Sequence, residues 1–454
     1  MEEMVDLRKE KVIILGGGIA GLCASFFLYE ADIESVVFEC SDTPGGLCKS
    51  FNIDGFWFDY GPHASFTKNK EIQNIFEEGV EIQTNVSSAV NYYKGIWIKN
   101  PVQNNLSVLP TSEKIKIILD MVRRNDSGQY NNYMEWLTSK YGEYFAENFP
   151  GRYTKKYWTI DAENLGTNWI GPRMYIPTLE EVLYGAFETS TKSVHYSGEI
   201  RYPINGGFGK FVERFIRSSN IECNQTITKI DVENKYIEVN KKDKIYYDYL
   251  ISTLPLDKTG ELYKPITNEV IEACRRLNHT SLVLVSLGLK GKIEVPETFY
   301  VYDEEMIMAR GFSTCKYSKG NAPDDASTLQ LEIYFSPFRP LTQDLNEIKE
   351  KTIEQCIEMK IMKRENIVVS DVRLVEYANV IFTKDIYDNR EIVHSYLNSN
   401  DVYYAGRFAD WDYMWVDQTI LSAKNMVNKL VERINLDEER RDKKTNRGIG
   451  QKIL

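Results

Sequence analysis

The chain of 454 residues has few of the residues that build metal sites and disulfide frameworks. It contains only seven cysteines and four histidines, and no two cysteines form a C-x-x-C pair. Zinc sites and disulfide scaffolds need such clusters, so neither is expected and no metal ligand is predicted. Ser-His-Asp and Cys-His arrangements with supporting motifs are also missing, which disfavours hydrolase chemistry. The scattered cysteines favour a reducing, cytoplasmic setting.

The sequence also lacks an excess of basic residues. Its 55 Lys and Arg residues against 66 Asp and Glu residues give a formal charge of -11. A nucleic-acid binder needs a basic surface, so nucleic acid is not an expected partner. Residues 12–29 carry no charge, but their four glycines fall in one cluster, and we therefore predict no transmembrane segment. The charged start MEEMVDLRKE is unlike the basic region of a secretory signal.

The glycine cluster lies between a predicted strand and a predicted helix. Residues 12–15 (VIIL) form a short β-branched run typical of a buried parallel strand, and apolar residues then recur at helical spacing. Between them, Gly16, Gly18 and Gly21 form G-x-G-x-x-G. The first glycine permits a tight turn, the second lets a diphosphate approach the backbone, and the third lets helix and strand pack closely. The pattern predicts a dinucleotide site at the helix N-terminus.

Residues beyond this motif indicate which dinucleotide is bound. Glu39 ends a second predicted strand (SVVFE), at the position where an acidic residue accepts hydrogen bonds from the adenosine ribose. A second glycine pair, Gly45 and Gly46, follows, with Lys49 just after it. A nicotinamide enzyme does not need this second turn, whereas a longer cofactor that continues past the strand ends does. The sequence therefore favours FAD.

Three groups of motifs resemble the FAD-binding superfamily of amine oxidases, protoporphyrinogen oxidases and UDP-galactopyranose mutases. They are GGGIAG with Glu39, PGGLCKSF and DGFWFDYGPH near the start; TITKIDVEN and YDYLISTLPL in the middle; and YYAGRFADWDYMWVDQTILSAKNMV at residues 403–427. The resemblance implies an α/β fold with a Rossmann-like FAD-binding domain of the GR2 type, interleaved with a helical and a sheet-containing substrate domain. It implies a strand pair near the adenine and a closing strand, loop and helix. Further cofactor contacts are expected at Ile227, Gly406, Arg407 and Asp417. No cysteine or histidine lies in a flavin-attachment motif, so the FAD is expected to be noncovalent.

The domains are predicted to be discontinuous in sequence. Residues 66–204 show helical patterns, including a capping box formed by Thr178 and Glu181, and residues 261–394 contain strand-like runs such as TLQLEIYF. The charge-dense carboxyl-terminal segment is expected to be a solvated tail. The predicted division is an FAD-binding domain of residues 1–65, 205–260 and 395–435, a mainly helical substrate domain of residues 66–204, a sheet-containing substrate domain of residues 261–394, and a tail of residues 436–454.

Within the superfamily, the nearer resemblance is to the UDP-galactopyranose mutases. It is carried by RYTKKYW at residues 152–158, by WIGPRM, and by RYPINGGFGKFVERF at residues 201–215. The resemblance implies an enzyme of polysaccharide biosynthesis that interconverts the pyranose and furanose forms of a nucleotide sugar through reduced flavin. The segments PGGLCKSF and DYGPHASF are closer to the oxidase members, so the alternative is an FAD-dependent oxidase or desaturase. A non-catalytic FAD-binding protein is the third alternative, and a homo-oligomer is left open.

The same resemblance suggests roles for individual residues around the substrate. Arg173 and Arg310 are expected to clamp the nucleotide diphosphate, because guanidinium groups pair with phosphate in bidentate geometry. Phenol donors are expected at Tyr202, Tyr377 and Tyr413, and an aromatic face at Trp158. In the related mutases a histidine near the position of His63 lies beside the flavin. The alternative for His63 is a structural histidine, and for each tyrosine an ordinary residue at the edge of the core.

Overall fold

A computed structural model describes residues 11–189 and 198–450 of the chain. The start MEEMVDLRKE and residues 451–454 of the predicted tail lie outside this part. The chain divides into two compact units, each made of discontinuous segments. The first unit comprises Met1–Gly46, Val212–Arg276 and Asn389–Leu454, and the second comprises Leu47–Phe211 and Leu277–Asp388.

The described residues form strands and α-helices in the following order. The strands are β1 Val12–Leu15, β2 Ser35–Phe38, β3 Ser50–Ile53, β4 Phe56–Asp59, β5 Ile82–Val86, β6 Ala89–Tyr93, β7 Ile96–Lys99, β8 Glu199–Pro203, β9 Ile221–Glu222, β10 Ile227–Asp231, β11 Tyr236–Val239, β12 Asp243–Tyr246, β13 Tyr249–Ser252, β14 Tyr263–Lys264, β15 His279–Lys290, β16 Thr298–Val301, β17 Arg310–Phe312, β18 Ala326–Phe335, β19 Ile367–Val380 and β20 Val402–Tyr404. The helices are α1 Ile19–Glu30, α2 Lys70–Glu77, α3 Thr111–Arg123, α4 Tyr133–Tyr141, α5 Glu143–Ala146, α6 Arg152–Tyr157, α7 Leu179–Phe187, α8 Glu213–Arg217, α9 Thr259–Leu262, α10 Asn268–Arg275, α11 Thr314–Tyr317, α12 Leu345–Glu358, α13 Ile386–Ser399 and α14 Val416–Gly450.

The first unit is built on a five-stranded parallel sheet in the order β20-β13-β1-β2-β9. All four residues of β1 are buried, as expected for a parallel strand covered on both faces. Helix α1 follows β1 and packs through Phe26 against Phe215, with ring centroids 5.3 Å apart. The predicted strand, glycine turn and helix are thus confirmed, and the α/β fold class with them.

The strand pair predicted near the adenine is not a pair. Strand β13 belongs to the parallel sheet, whereas β10 lies in a separate four-stranded sheet in the order β12-β11-β10-β14. Local sequence predicts both strands, but it does not specify which neighbours they bond to. The closing strand, loop and helix are present as β20, residues 405–415 and α14. Helix α14 continues to Gly450, through most of the segment predicted as a tail.

The second unit contains a seven-stranded sheet in the order β19-β15-β18-β17-β16-β6-β7. Strands β6 and β7 come from residues 66–204 and the others from residues 261–394, so the structure does not separate these two predicted regions. One face of the sheet packs into a large apolar core that includes Leu331 of β18 and Ile353 of α12. Residues 261–394, where the sequence analysis singles out strand-like runs, also contain helices α10, α11 and α12 and the start of α13. The capping box of Thr178 and Glu181 is confirmed at the start of α7.

Among the residues that the structure describes, no helix combines the length and the apolarity needed to cross a membrane.

Candidate active site

The first glycine motif forms a tight turn between β1 and α1. Gly16 has a φ of +96°, in the region that favours glycine, and its N–H donates to the Phe38 carbonyl at 2.8 Å. A Cβ added to Gly21 would overlap the carbonyl oxygen of Gly16, so this position keeps the helix close to the turn. Gly18 is the N-cap of α1, and a Cβ there would meet the protein only at 4.0 Å, at the Cα of Gly46. The protein therefore leaves space in front of Gly18.

The second glycine pair lies directly against the first. The Gly45 N–H donates to the Gly17 carbonyl at 2.8 Å, and Gly18 and Gly45 form a parallel bridge. Gly46 has a φ of +56°, and its added Cβ would lie 3.0 Å from the Cα of Gly18. Two glycine turns without side chains, at residues 16–18 and 45–46, therefore lie together at the N-terminus of α1. This arrangement fits a diphosphate bound to backbone N–H groups.

Glu39 connects the end of β2 to the glycine turn. Its Oε2 accepts a hydrogen bond from the Gly17 N–H at 2.7 Å. Its Oε1 accepts from the N–H of Ser41 at 2.9 Å and from the hydroxyl of Ser41 at 2.6 Å. The Gln225 N–H donates to the Glu39 carbonyl at 2.9 Å, which brings the start of β10, and with it Ile227, to this strand end. A carboxylate fixed at this point fits an adenosine ribose.

The loop after β20 carries two further predicted cofactor residues, Gly406 and Arg407, and the helix that follows it carries a third. Asp410 holds this loop, because its Oδ2 accepts from the Gly406 N–H at 2.9 Å and from the Ser422 hydroxyl at 2.5 Å. Burial raises the pKa of Asp410 above its usual value. The Arg407 guanidinium lies 5.1 Å from the ring centroid of Tyr413. Asp417 lies in the first turn of α14.

In the second unit, strand β18 has a polar face that is buried as completely as its apolar face. Leu329, Leu331, Ile333 and Phe335 point into the apolar core, while Thr328, Gln330, Glu332 and Tyr334 occupy the alternate positions. These four polar side chains are at most 2% exposed. Buried polar side chains need partners, so this face of β18 must be matched by polar groups from neighbouring segments.

Arg310 on β17 pairs with this polar face. It lies opposite Glu332 in the register of the two strands, and its Nε donates to Glu332 Oε2. Its Nη2 donates to the Tyr334 hydroxyl at 3.2 Å, and that hydroxyl donates to Glu332 Oε2 at 2.9 Å. Burial opposes the charge of the guanidinium, but the Glu332 carboxylate outweighs it and holds the pKa of Arg310 well above its usual value. Arg310 is therefore a fixed cation.

Tyrosines from α6 and its neighbours surround this cation. The Tyr157 ring centroid lies 5.6 Å from the Arg310 guanidinium carbon and 4.7 Å from the Tyr334 ring. Tyr153, one turn earlier on α6, stacks on Tyr157 at 5.5 Å and meets Tyr300 edge-on at 5.6 Å. Burial raises the pKa of Tyr153 and of Tyr334 well above 10.0, so both phenols stay neutral at physiological pH.

The structure brings His63 to the same cluster. A Cβ built on Gly61 would lie 3.5 Å from His63 Cε1 and 3.7 Å from Glu332 Oε1. The turn that carries His63 thus lies beside the second carboxylate oxygen of Glu332. The His63 ring stacks on Phe208 at 5.1 Å, and its Nδ1 lies 3.1 Å from the Gly61 carbonyl oxygen. These contacts fix the orientation of the ring.

Trp158 and Arg173 are connected to the cluster through aromatic contacts. Trp158 is buried and meets Tyr157 edge-on at 4.9 Å. It also contacts Trp169 at 5.2 Å, and the carbonyl of Trp169 accepts a hydrogen bond from Arg173 Nη1 at 3.2 Å. A chain of rings therefore links the two predicted clamp arginines. Their joint role in substrate binding stays a prediction.

Tyr202 lies in a different environment from the other predicted tyrosines. It is fully buried, and its hydroxyl donates to Asp59 Oδ2 at 2.5 Å. Asp59 Oδ1 also accepts from Ser50 at 2.5 Å and from the Phe208 N–H at 3.0 Å. Burial raises the pKa of Asp59 to about 6, although these hydrogen bonds act in the opposite direction. Tyr202 is thus engaged with Asp59, and a contact between it and a substrate stays a prediction.

The two remaining predicted residues of the second unit each contact an aromatic ring. Tyr377 stacks on His279 with ring centroids 3.9 Å apart, and the Lys49 ammonium lies 5.5 Å from the Tyr60 ring. In the parts of the chain that the structure describes, no three His, Cys, Asp or Glu side chains converge in a way that could hold a metal ion.

A family model described as flavin-containing amine oxidoreductase matches residues 19–431. The chain belongs to this family. Its fold is similar to that of a reduced UDP-galactopyranose mutase, with a TM-score of 0.88 and 24% identity over 93% of this chain and 96% of that chain. It is also similar to a candidate protoporphyrinogen oxidase from Exiguobacterium sp. 255-15, with a TM-score of 0.76 and 16% identity over 93% of this chain and 99% of that one.

Among curated proteins, coproporphyrinogen III oxidase of Staphylococcus aureus is 30% identical over 93 residues. This match spans 20% of this chain and 20% of that protein. Membership of the flavin-containing amine oxidoreductase family makes the protein an FAD-dependent enzyme. The space in front of Gly18, the paired glycine turns and the fixed Glu39 carboxylate fit this cofactor.

Five residues of this flavoenzyme are not predicted individually from the sequence: Glu332, Tyr334, Tyr153, Tyr157 and Asp59. One signal was available for Glu332, because Gln330 and Glu332 alternate with leucine and isoleucine in TLQLEIYF. Alternation normally marks a strand with one face in water. Here it marks a strand whose polar face is buried.

Proposed function

We propose that this flavoenzyme acts on a nucleotide-diphosphate sugar and interconverts its pyranose and furanose forms. The observation that carries the proposal is that one nitrogen of the Arg310 guanidinium is left available to a ligand. Its Nε and Nη2 donate to Glu332 and Tyr334, whereas Nη1 has no acceptor among the described residues. The side chain keeps an exposed fraction of 18%. An arginine held in this way presents N–H groups to an anionic ligand, and a diphosphate is such a ligand.

Because Arg310 is paired with Glu332, it cannot neutralise the charge of a diphosphate by itself. The carboxylate cancels most of the arginine charge, while a diphosphate brings at least two negative charges. A second cation is therefore needed, and Arg173 is the predicted one. The chain of rings from Tyr157 through Trp158 and Trp169 to the Arg173 contact supports this pairing. The likeness to a UDP-galactopyranose mutase also supports the proposal.

The cofactor and the protein contribute differently. Reduced FAD supplies a nucleophilic ring nitrogen, which the side chains of this protein do not replace. Gly18, Gly46, Glu39 and Arg407 would hold the cofactor. The residues around Arg310 bind and orient the diphosphate, and the aromatic rings of α6 exclude water, which strengthens these electrostatic contacts. In this proposal the reaction supplies a furanose sugar to cytoplasmic polysaccharide biosynthesis.

The proposal is tested by the redox requirement of the reaction. An isomerisation leaves its flavin unchanged, so activity on UDP-sugars should appear after anaerobic reduction with dithionite and should persist without an electron acceptor. The substrate ring form is followed by NMR of the sugar. The same enzyme kept oxidised should be inactive and serves as the control.

The alternative function is a net oxidation. It is favoured by the likeness to a curated protein that is named as an oxidase. It is also favoured by the neutral tyrosines around Arg310, which can line a site for an aromatic or unsaturated substrate. An oxidase would show substrate-dependent bleaching of the oxidised flavin and recovery with oxygen. Rapid bleaching of the oxidised flavin by an amine, a porphyrinogen or a nucleotide sugar would contradict the proposed isomerisation and support a net oxidation.

A further inference from the structure

The polar face of the seven-stranded sheet carries a second arginine that the proposed reaction does not use. Arg373 on β19 lies opposite Leu284 on β15, and Leu284 lies opposite Glu332 on β18. Residues directly opposite one another lie on the same face of a sheet, so Arg373 shares a face with Arg310, the partner of Glu332. Three strand spacings, about 14 Å, separate the backbones of the two arginines. Each arginine is paired with its own carboxylate, so the two mark separate positions on this face.

Three contacts hold the Arg373 guanidinium in place. Its Nε donates to Asp371 Oδ2 at 2.8 Å, and its Nη1 donates to the Tyr60 hydroxyl at 2.8 Å. The guanidinium carbon lies 3.5 Å from the ring centroid of Phe51, which fixes the plane of the group. Burial opposes the charge, but the hydrogen bonds to Asp371 and Tyr60 outweigh it and raise the pKa of Arg373 above its usual value. Arg373 is therefore a cation with a fixed orientation.

Hydrogen-bond donors remain unused on this arrangement. Among the described residues, Arg373 Nη2 has no acceptor, and the side chain keeps an exposed fraction of 31%. The Tyr60 hydroxyl accepts from Arg373, whereas its own hydrogen has no acceptor in the same part of the chain. The Lys49 ammonium lies 5.5 Å from the Tyr60 ring centroid and adds a second positive charge. Parallel guanidinium N–H groups beside a phenol O–H match the acceptors of a carboxylate or a phosphate.

We infer that Arg373 and Tyr60 bind an oxyanion, the phosphate or carboxylate group of a small molecule. Two oxygens of this group pair with Nη1 and Nη2 of Arg373, and the Tyr60 hydroxyl donates to one of them. Asp371 holds Nε on the opposite side of the guanidinium and does not contact the ligand. The site lies apart from Arg310 and does not depend on the proposed isomerisation.

The alternative role for Arg373 is purely structural. Through Phe51 and Tyr60, the arginine also ties β19 to the hairpin formed by β3 and β4. Removal of Arg373 would lower the stability of the protein in either case, so stability does not distinguish the two roles. The affinity for an oxyanion does distinguish them, because only a binding site links this affinity to Arg373.

The experiment titrates the FAD-loaded full chain with inorganic phosphate in a calorimeter at constant ionic strength. UDP is present throughout to fill the proposed diphosphate site. The dissociation constant for phosphate should be on the order of 1 mM. Arg373→Lys keeps the charge but loses the planar pair of donors, so it should raise this constant at least about tenfold. Arg364→Lys is the matched control, since Arg364 pairs with Glu350 at 2.8 Å on the surface, and it should bind phosphate as the wild type does.

Asp371→Asn gives a result of opposite sign. It removes the negative charge beside the ligand, so it should lower the dissociation constant for phosphate about threefold or more. A purely structural ion pair would leave phosphate binding unchanged or weaken it. Circular dichroism and the absorbance of bound FAD verify that every variant is folded. UDP that fails to bind would refute the proposed diphosphate site, but the comparison of Arg373→Lys with wild type would still report on the second site.

A further comparison identifies the source of the oxyanion. If it is a carboxylate on the sugar of the substrate, UDP-glucuronate should bind about tenfold more tightly than UDP-glucose, and Arg373→Lys should abolish this preference. If it belongs to a separate small molecule, the two nucleotide sugars should bind equally and phosphate should bind beside UDP. The inference is overturned if Arg373→Lys changes neither the affinity for phosphate nor the preference for UDP-glucuronate, or if Asp371→Asn fails to tighten phosphate binding.

Discussion

Glu332 lies directly opposite Arg310 in the β17–β18 register, and its Oε2 accepts hydrogen bonds from both the Arg310 guanidinium and the Tyr334 hydroxyl. With Glu332 only 1% exposed, its removal leaves Arg310 without its counter-charge. We expect Glu332→Ala to lower the free energy of unfolding by about 3 kcal/mol, the lower end for breaking a buried pair. Urea unfolding of the holoenzyme measures the change.

The matched control for this variant is Glu261→Ala. Glu261 pairs with Lys258 at 3.6 Å on the surface, where the loss should be below about 1 kcal/mol. Equal losses for the two variants would contradict the importance assigned to the buried pair.

Two neighbouring glycines should respond differently to the same substitution. Gly18→Ala should leave the fold intact and weaken FAD retention, because its Cβ would meet the protein only at 4.0 Å yet would occupy space in front of the turn. Gly21→Ala should destabilise the fold itself, because its Cβ would overlap the Gly16 carbonyl oxygen. Thermal unfolding of the apoprotein and titration with FAD separate these two effects. A Gly18→Ala protein with wild-type affinity would refute the placement of the diphosphate.

Glu39→Ala should reduce the affinity for FAD by roughly 1.5–3 kcal/mol, the range for hydrogen bonds to a charged group, or about tenfold or more. The apoprotein is titrated with FAD and flavin fluorescence is recorded. Glu222→Ala, an exposed acidic residue on the adjacent strand β9, is the control and should bind FAD normally. If both variants bound FAD equally well, Glu39 would have no part in the site.

Asp59 should give the protein a distinct dependence of stability on pH. The pKa of Asp59 is about 6 in the folded state, whereas its ordinary value, which applies to the unfolded chain, is 3.8. Between these two pH values the folded state holds a proton that the unfolded chain releases. Stability should therefore fall as the pH rises from about 4 to 6 and should stay lower above it, by about 3 kcal/mol in total.

Asp59→Asn removes this titration while keeping a side chain of the same shape. The difference in unfolding free energy between wild type and variant, measured by urea at several pH values, should change over the same range. A difference that is constant from pH 4 to pH 7 would show that Asp59 is ionised in both states.

Arg310→Ala and Arg173→Ala should each weaken nucleotide-sugar binding while leaving the flavin spectrum of the free enzyme unchanged. Each removes charge-assisted hydrogen bonds worth ~1.5–3 kcal/mol, so a tenfold to hundredfold loss of affinity is expected. Because both would share one diphosphate, the double variant should lose less than the sum. Isothermal titration with UDP-sugars measures all three. Additive losses of binding free energy would indicate that the two arginines do not bind the same diphosphate.

The elements predicted from sequence are those specified by short-range patterns. The strand and helix around Gly16, the acidic end of β2 at Glu39 and the cap at Thr178 each depend on residues within a few positions of one another. The partner of Arg310 is 22 residues away in sequence, beyond a connection that contains α11, and only the register of β17 and β18 identifies it as Glu332. The assignment of β10 to its own sheet likewise depends on long-range hydrogen bonds that local patterns do not specify.

The parallel sheet of the first unit is assembled from strands that are synthesised at very different times. Strand β1 is made first, but its neighbour β13 follows at residues 249–252 and the outer strand β20 only at residues 402–404. A nascent chain therefore cannot complete the parallel sheet until nearly nine-tenths of it has left the ribosome. During that time β1 has β2 on one edge but lacks β13 on the other, and α1 lacks α14, the helix against which it packs. The apolar groups left exposed make the early segments prone to aggregation. We therefore expect FAD to be retained only once β20 is in place, so that a chain truncated before β20 should remain without the cofactor.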